Sequence, residues 1–356
     1  MRLKPTIIAA IGIILGALSS CSPLYVARAG YEQAKILWHR EPITELLRGS
    51  TVTADEREKL SAVLDARAFA GTIGLTPGDS FTTYTRIERN ELAWVLLASK
   101  PDSFSLFTWW YPIVGTVPYK GFFEKAAAEK SGRILEEIGY EVWIRPTEAI
   151  STLGWFNDPL LSTTLRNEAA TVVNTVLHES THSTIWIPGG VDFNESLANF
   201  VGARATIEFF ESRRELCADQ SCTQRLAALV DRAKAIYNSQ LALSEMIEGL
   251  YGKLDRLYRS DKPKEQKLAE REAVFEEFLT PVRAKNPKLQ AFKQLNNAEI
   301  IQFKLYLTGL RGFEGLFAKH SGSWPAFFES IRLIIDRLEH AGSKSAWELL
   351  QEASQP

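Results

Sequence analysis

Apolar positions recur at helical spacing over 31–47 and again over 54–69, which predicts two helices near the start of the chain. Between 83 and 123 the pattern changes. β-Branched and aromatic residues cluster in short runs (Tyr84-Thr85-Arg86-Ile87, Trp94-Val95-Leu96-Leu97, Phe104 to Tyr111), and Pro and Gly punctuate them, so short strands and loops are expected there. An amphipathic helix follows over 125–138 and a strand over 141–144. Asp158-Pro159 then reads as an N-cap followed by Pro at the first helical position, which predicts one long helix over 159–185. Ile187-Pro188-Gly189-Gly190 must end that helix and turn the chain, and a second helix opens at Val191. From Asn194 onward the spacing is helical, with breaks near Cys217–Cys222, at Asp261-Lys262-Pro263, at Asn286-Pro287 and over 321–324. The fold class this predicts is α+β: a small sheet with flanking helices over 21–190, and a larger, mainly helical lobe over 191–356.

The long helix carries His178-Glu179-Ser180-Thr181-His182, an HExxH signature. Histidines four residues apart project from one face about one turn from each other, so both imidazoles can reach a single metal ion. Glu179 stands beside them, where its carboxylate can take a proton from a water whose pKa a catalytic zinc lowers to about 7 and pass it to a leaving amine. The flanks, Thr175-Val176-Leu177 and Ser180-Thr181 with Ser183-Thr184, are uncharged, as a buried metal-binding helix requires.

A catalytic zinc needs a third protein ligand and an open fourth position. Glu195 falls in the first turn of the following helix and is the preferred ligand, since it sits in an Asn-Glu-x-x-Ala string. Asp192 is the rival, being a carboxylate nearer the histidines, although Asp192 or Asn194 reads more simply as the cap of that helix. Asn199, one turn after Glu195, is placed to accept a hydrogen bond from the distal ring nitrogen of a ligand histidine, or else faces solvent.

At 356 residues and 45% hydrophobic content the chain can bury one large core or two smaller ones. Residues 1–20 differ from the rest: basic Arg2 and Lys4, an apolar run over 6–18 too short for a comfortable transmembrane helix, then Leu18-Ser19-Ser20-Cys21. This has the shape of a secretory signal, and the Cys after small residues resembles the lipobox of bacterial lipoproteins. That resemblance implies cleavage before Cys21, lipid attachment at Cys21, and, from Ser22, an outer-membrane address facing the periplasm. Removing 1–20 takes away Arg2 and Lys4 and no acid, so the net charge moves from −2 to −4. No basic stripe is interleaved with aromatics, which excludes a nucleic-acid partner. Cys217 and Cys222 are then the remaining cysteines, and in an oxidising compartment they are expected to form a small disulfide loop contributing about 2 kcal/mol.

The string from His178 to Gly189, the segment Asp192 to Gly202, Ser-Thr-Leu-Gly-Trp-Phe-Asn-Asp-Pro-Leu-Leu over 151–161, Val-Pro-Tyr-Lys-Gly-Phe-Phe over 117–123 and Asn-Asn-Ala over 296–298 together resemble the bacterial predicted-aminopeptidase family of gluzincin-like lipoproteins. The resemblance spans most of the chain after residue 20. It implies a zincin-like small sheet with an active-site helix, zinc held by His178, His182 and Glu195, and Glu179 as general base. The gap from His182 to Glu195 is shorter than in thermolysin-like gluzincins, and Asn199 stands where those enzymes often have Asp. In zincins an edge strand before the active helix pairs with the substrate backbone, a place Ser151, Thr152, Leu153 and Gly154 are positioned to fill, unless they simply end an interior strand. An oxyanion donor opposite Glu179 is also needed, for which Tyr306 is the first candidate and Tyr119 the second. The resulting expectation is a lipid-anchored zinc metallopeptidase of the cell envelope with a peptide substrate, aminopeptidase action leading. Endopeptidase or cell-wall peptide cleavage is the alternative within the class. A non-catalytic lipoprotein with a structural zinc is the alternative outside it.

Overall fold

The computed structural model describes residues 23–111, 115–147, 157–285, 292, 295–341 and 344–355. Cys21, Ser151 to Gly154 and Asn286-Pro287 lie outside the described residues. The amino-terminal part runs α1 (Pro23–Trp38), β1 (Glu41–Pro42), α2 (Ile43–Arg48), α3 (Ala54–Thr72) and β2 (Thr83–Thr85). It continues through β3 (Ala93–Ser99), β4 (Trp109–Tyr111), β5 (Gly115–Val117), β6 (Lys120–Phe122), α4 (Lys125–Glu137), β7 (Glu141–Thr147) and β8 (Leu160–Leu161). Then come α5 (Ser162–Leu165), α6 (Ala169–Thr184), α7 (Val191–Arg214), α8 (Gln220–Tyr258), α9 (Lys264–Lys285), α10 (Asn297–Leu307), α11 (Leu310–Lys319), α12 (Trp324–Ala341) and α13 (Ala346–Ser354). The fold is α+β, with small sheets among many helices.

Two expectations are corrected. The helix expected over 31–47 is interrupted, because Glu41-Pro42 pairs with Tyr84 and Thr83 as an edge strand, and a residue before Pro is held extended. The helix expected over 159–185 is in fact β8, the single turn α5, and α6 starting only at Ala169. Leu160 and Leu161 pair in parallel with Tyr84 and Thr85, and Asp158 is fixed through its backbone: its carbonyl accepts from Phe81 N–H at 2.8 Å. Asp158-Pro159 therefore introduces a strand, and the hydroxyl of Ser162 is taken up by the backbone of Ile87. The break at Cys217–Cys222 is present, closed by a disulfide between those two residues.

One large core joins both halves of the chain. Ile43, Leu60 and Val63 from the amino-terminal helices meet Val172, Val173 and Val176 of α6, Phe193 and Phe200 of α7, and Phe313, Phe327 and Leu350 from the carboxy-terminal helices. The 190/191 boundary thus falls inside a shared core.

A second unit, the sheet β6-β3-β7, lies against this helical body. Both outer strands pair antiparallel with β3, and the β3–β7 register runs from Ala93↔Thr147 to Ser99↔Glu141. One face carries Leu96, Ala98, Val142 and Ile144 and is covered by Leu135 of α4. Gly132 permits that approach, since a Cβ there would lie 3.0 Å from Val142. The other face turns toward α10, where the Trp143 and Phe303 rings lie 6.3 Å apart.

The Asn296-Asn297-Ala298 string fastens that face. Asn296 Nδ2 donates to Val142 O at 3.0 Å, Asn297 N–H donates to the Glu141 carboxylate at 3.0 Å, and Asn297 Nδ2 donates to Lys100 O at 2.8 Å. Tyr258 Oη donates to Asn297 Oδ1 at 2.8 Å, and buried Arg271 pairs with Glu141 while donating to Pro101 O. Removing one partner of a buried, hydrogen-bonded ion pair strands the other. Arg271→Met is therefore expected to lower the unfolding free energy by about 2 kcal/mol. Chemical denaturation checks this, and a change within 0.5 kcal/mol (roughly the scatter of a surface substitution) would show the network to be incidental.

Candidate metal centre

The centre is built on α6 and α7, which pack closely along their length. Helix α6 is buried yet rich in hydroxyl side chains, and it satisfies them locally: Thr175, Ser180, Thr181, Ser183 and Thr184 each donate to the carbonyl four residues earlier. No charge needs burying to provide polarity there. Gly202 of α7 sits where a Cβ would come within 3.1 Å of both Asn174 O and His178 Cβ, so only glycine lets α7 approach α6 at the first histidine.

The turn between the helices is clamped by one side chain. Asn194 Oδ1 accepts from Ile187 N–H at 2.9 Å and its Nδ2 donates to Ile187 O at 2.8 Å, while Gly189 takes up φ 78°. Folding α7 back in this way brings Glu195 over the histidines. Gly190, not Asp192 or Asn194, holds the N-cap position, without a side-chain cap bond. Asp192 accepts from Trp347 Nε1 of α13 at 2.9 Å and is not part of the donor cluster.

His178, His182 and Glu195 form that cluster, the one such group among the described residues. His178 Nε2 lies 3.2 Å from His182 Nε2 and 3.5 Å from Glu195 Oε2, and His182 Nε2 lies 3.7 Å from Glu195 Oε1. A tetrahedral zinc with bonds of about 2.0–2.2 Å has donor–donor edges of roughly 3.3–3.6 Å. The separations run to both oxygens of Glu195 and lie close to that range, so the three groups are gathered tightly enough to share one ion, and two imidazole nitrogens with one carboxylate are a suitable donor set.

The electrostatics agree. Burial pushes the Glu195 carboxyl up, but the two facing imidazoles outweigh it and hold its pKa down to about 2, so the group is anionic at neutral pH. Burial pulls His178 down, and the Glu195 contact together with the charges of Glu179 and Glu195 more than reverses this. Both signs report a site that attracts a cation. Glu179 is partly exposed, next to His178 on the helix.

Tyr306 lies close enough to sense both Glu195 and Glu179. Burial, reinforced by Glu195 and partly offset by Arg145, pushes its hydroxyl up to about 12, so it keeps its proton. Its helix is held against α7: Ser196 Oγ donates to Leu305 O at 3.2 Å, and Asn199 Nδ2 donates to Tyr306 O at 3.0 Å. This corrects the expectation for Asn199. It positions the tyrosine's backbone and also meets Gln240, whereas the Nδ1 of His182 is buried without a partner. Tyr119 is 46% exposed, lies near enough to act on Tyr306, and is the more open of the two tyrosines.

Three contributors were not assigned a role from the sequence: Gly202, Trp186, whose ring meets that of His182 at 5.6 Å, and Arg145 of β7. A glycine two turns beyond Glu195 and an aromatic four residues after His182 were available as signals. Nothing local marked Arg145.

Residues 24–345 match the family model described as "Putative aminopeptidase". The chain belongs to that family. The matched span takes in α6, α7 and α10, and so every residue of the donor cluster together with Glu179 and Tyr306; α13 lies beyond it. No curated protein and no solved structure matches the chain significantly. Family membership supports a peptidase assignment, and the donor cluster is the place in this aminopeptidase-family fold where such chemistry can be located.

Proposed function

We propose that the protein is a zinc-dependent aminopeptidase of gluzincin type, with α6 as the zincin-like active helix. The observation that carries this reading is the convergence of His178 Nε2, His182 Nε2 and the Glu195 carboxylate within 4.8 Å of one another, with Glu179 adjacent on the same helix. Zinc, when bound, polarises the scissile carbonyl and brings the pKa of a water to about 7. His178, His182 and Glu195 would hold the ion. Glu179 accepts the water's proton at its carboxylate and hands it to the leaving nitrogen, a transfer that a free carboxylate beside the ligands can make in both directions. Tyr306, protonated at neutral pH, donates its hydroxyl to the developing oxyanion. The Trp186 ring packs edge-on against that of His182 and so helps hold the imidazole in place.

The test is activity on a peptide library with products mapped by mass spectrometry. Sequential loss of single residues from free amino ends, abolished by chelation and restored by zinc, is the expected result. Internal cuts would reassign the protein as an endopeptidase, and cleavage insensitive to chelation would remove zinc from the reading.

We also propose that Cys21 is lipidated and that the enzyme is anchored in the bacterial envelope, at the outer membrane facing the periplasm. The lipobox-like Leu18-Ser19-Ser20-Cys21 supports this. Cys21→Ala is expected to shift the protein from the detergent to the aqueous phase or leave it unprocessed. Mass analysis showing an unmodified Cys21 on membrane-bound protein would overturn the proposal.

A further inference from the structure

Strand β7 and helix α10 run side by side in the same direction. Glu141 and Val142 meet Asn297 and Asn296 at one end, and the Trp143 and Phe303 rings meet further along. A strand rises about 3.3 Å per residue and a helix about 1.5 Å, so two residues of β7 cover nearly the same distance as one turn of α10. The next rung on this face carries Arg145 toward Tyr306, whose hydroxyl senses the guanidinium charge. Arg145 stands in register with Val95 and, through it, with Gly121, which puts it on the sheet face that carries Trp143 and away from the face packed on α4. Its guanidinium carbon lies 6.0 Å from the Trp143 ring, as that placement requires.

The guanidinium is poorly used within the protein. Its Nε is buried with no partner, and Nη1 makes only a long 3.4 Å donation to the neighbouring Pro146 carbonyl. Arg89 and Arg271 also have a buried Nε without a partner, but each is paired with a carboxylate, Glu32 and Glu141 respectively. Among the described residues Arg145 has no such partner. A planar donor fork without a carboxylate partner, near Tyr306 and the donor cluster, is suited to a planar anion supplied from outside, and a carboxylate matches it with two parallel hydrogen bonds.

We propose that Arg145 is the anion-recognition residue of the site and that it binds a carboxylate of the peptide substrate, so that the enzyme favours short peptides with a free C-terminus, or an acidic side chain, beside Tyr306. This rests on the hydrolytic reading above and adds the class of substrate to it.

The experiment compares di-, tri- and tetrapeptides with free and with amidated C-termini, plus amidated peptides containing one glutamate. Wild type, Arg145→Ala and Arg145→Lys are assayed for kcat and KM, and binding of the same peptides to zinc-loaded Glu179→Gln protein, with and without Arg145→Ala, is measured by calorimetry. Amidation should raise KM by at least about tenfold for wild type at one peptide length, Arg145→Ala should erase the difference between free and amidated forms, and Arg145→Lys should restore part of it. Rescue by the internal glutamate assigns the side chain, and its absence assigns the C-terminus, as the carboxylate recognised. Equal KM and equal binding for all forms in wild type overturns the proposal, as does an Arg145→Ala loss that is uniform across free and amidated peptides. If wild type hydrolyses nothing but calorimetry shows an Arg145-dependent carboxylate preference, the hydrolytic reading fails and the assignment of Arg145 stands. Amino-end hydrolysis with no carboxylate preference leaves the hydrolytic reading in place and removes the assignment of Arg145.

Discussion

Glu179→Gln is expected to keep zinc at wild-type occupancy while lowering peptide hydrolysis by at least about a hundredfold, a loss of about 2.7 kcal/mol of transition-state stabilisation. The reason is that the amide matches the carboxylate in shape but cannot accept a proton. His178, His182 and Glu195 form the donor cluster without Glu179, so the metal should be retained. Folding should also be unaffected, since Glu179 is partly exposed and, among the described residues, no side-chain bond of Glu179 holds α6 to its neighbours. Metal content by atomic spectroscopy and kcat on the best library peptide decide the matter together. Equal turnover at matched zinc content would remove Glu179 as the base, leaving a mechanism in which the water is activated without a protein acceptor.

What could be read from the sequence was what depends on near neighbours. The four-residue spacing of His178 and His182 places both on one helical turn whatever the rest of the chain does, and the Gly189-Gly190 turn with Asn194 folds Glu195 back over them through bonds spanning seven residues. The errors lie where distant partners override local signals. Asp158-Pro159 is a good helix start in isolation, but Leu160 and Leu161 have Tyr84 and Thr85 to pair with, and the ladder wins. Asn199 stands one turn from Glu195 and so looked like a support for a ligand. Its side chain instead binds the carbonyl of Tyr306, 107 residues away, and thereby ties the ligand helix to the oxyanion candidate. Arg145 was invisible for another reason: its significance is the absence of a partner, and only three-dimensional packing reveals that. The Asn296-Asn297-Ala298 string could be noticed as a pattern, but its purpose, fastening β7 to α10 so that Arg145 and Tyr306 share a rung, needed the register of the sheet.

Glu195→Ala is expected to weaken zinc binding by well over a hundredfold, beyond the ten- to hundredfold typical of a ligand's supporting partners, whereas Asp192→Ala should leave it unchanged. Glu195 is the single anionic donor among the three, and without it two imidazoles 3.2 Å apart remain, neither carrying charge to offset that of the ion. The nearer carboxylate in sequence cannot replace it, because Asp192 is engaged by the Trp347 indole and the Phe193 amide. The two variants should therefore separate in kind. Asp192→Ala loses a hydrogen bond to α13 and about 1 kcal/mol of stability, with zinc affinity intact. Glu195→Ala loses the stabilisation that bound zinc confers, about 2.7 kcal/mol at a free concentration a hundred times the Kd. Thermal melts with and without zinc, alongside competition with a chelator of known affinity, read both quantities. His178→Ala and His182→Ala should behave like Glu195→Ala. If Asp192→Ala abolished the zinc-dependent rise in Tm while Glu195→Ala kept it, the third corner of the site would have to be reassigned, and the turn clamped by Asn194 would have to open in solution to allow it.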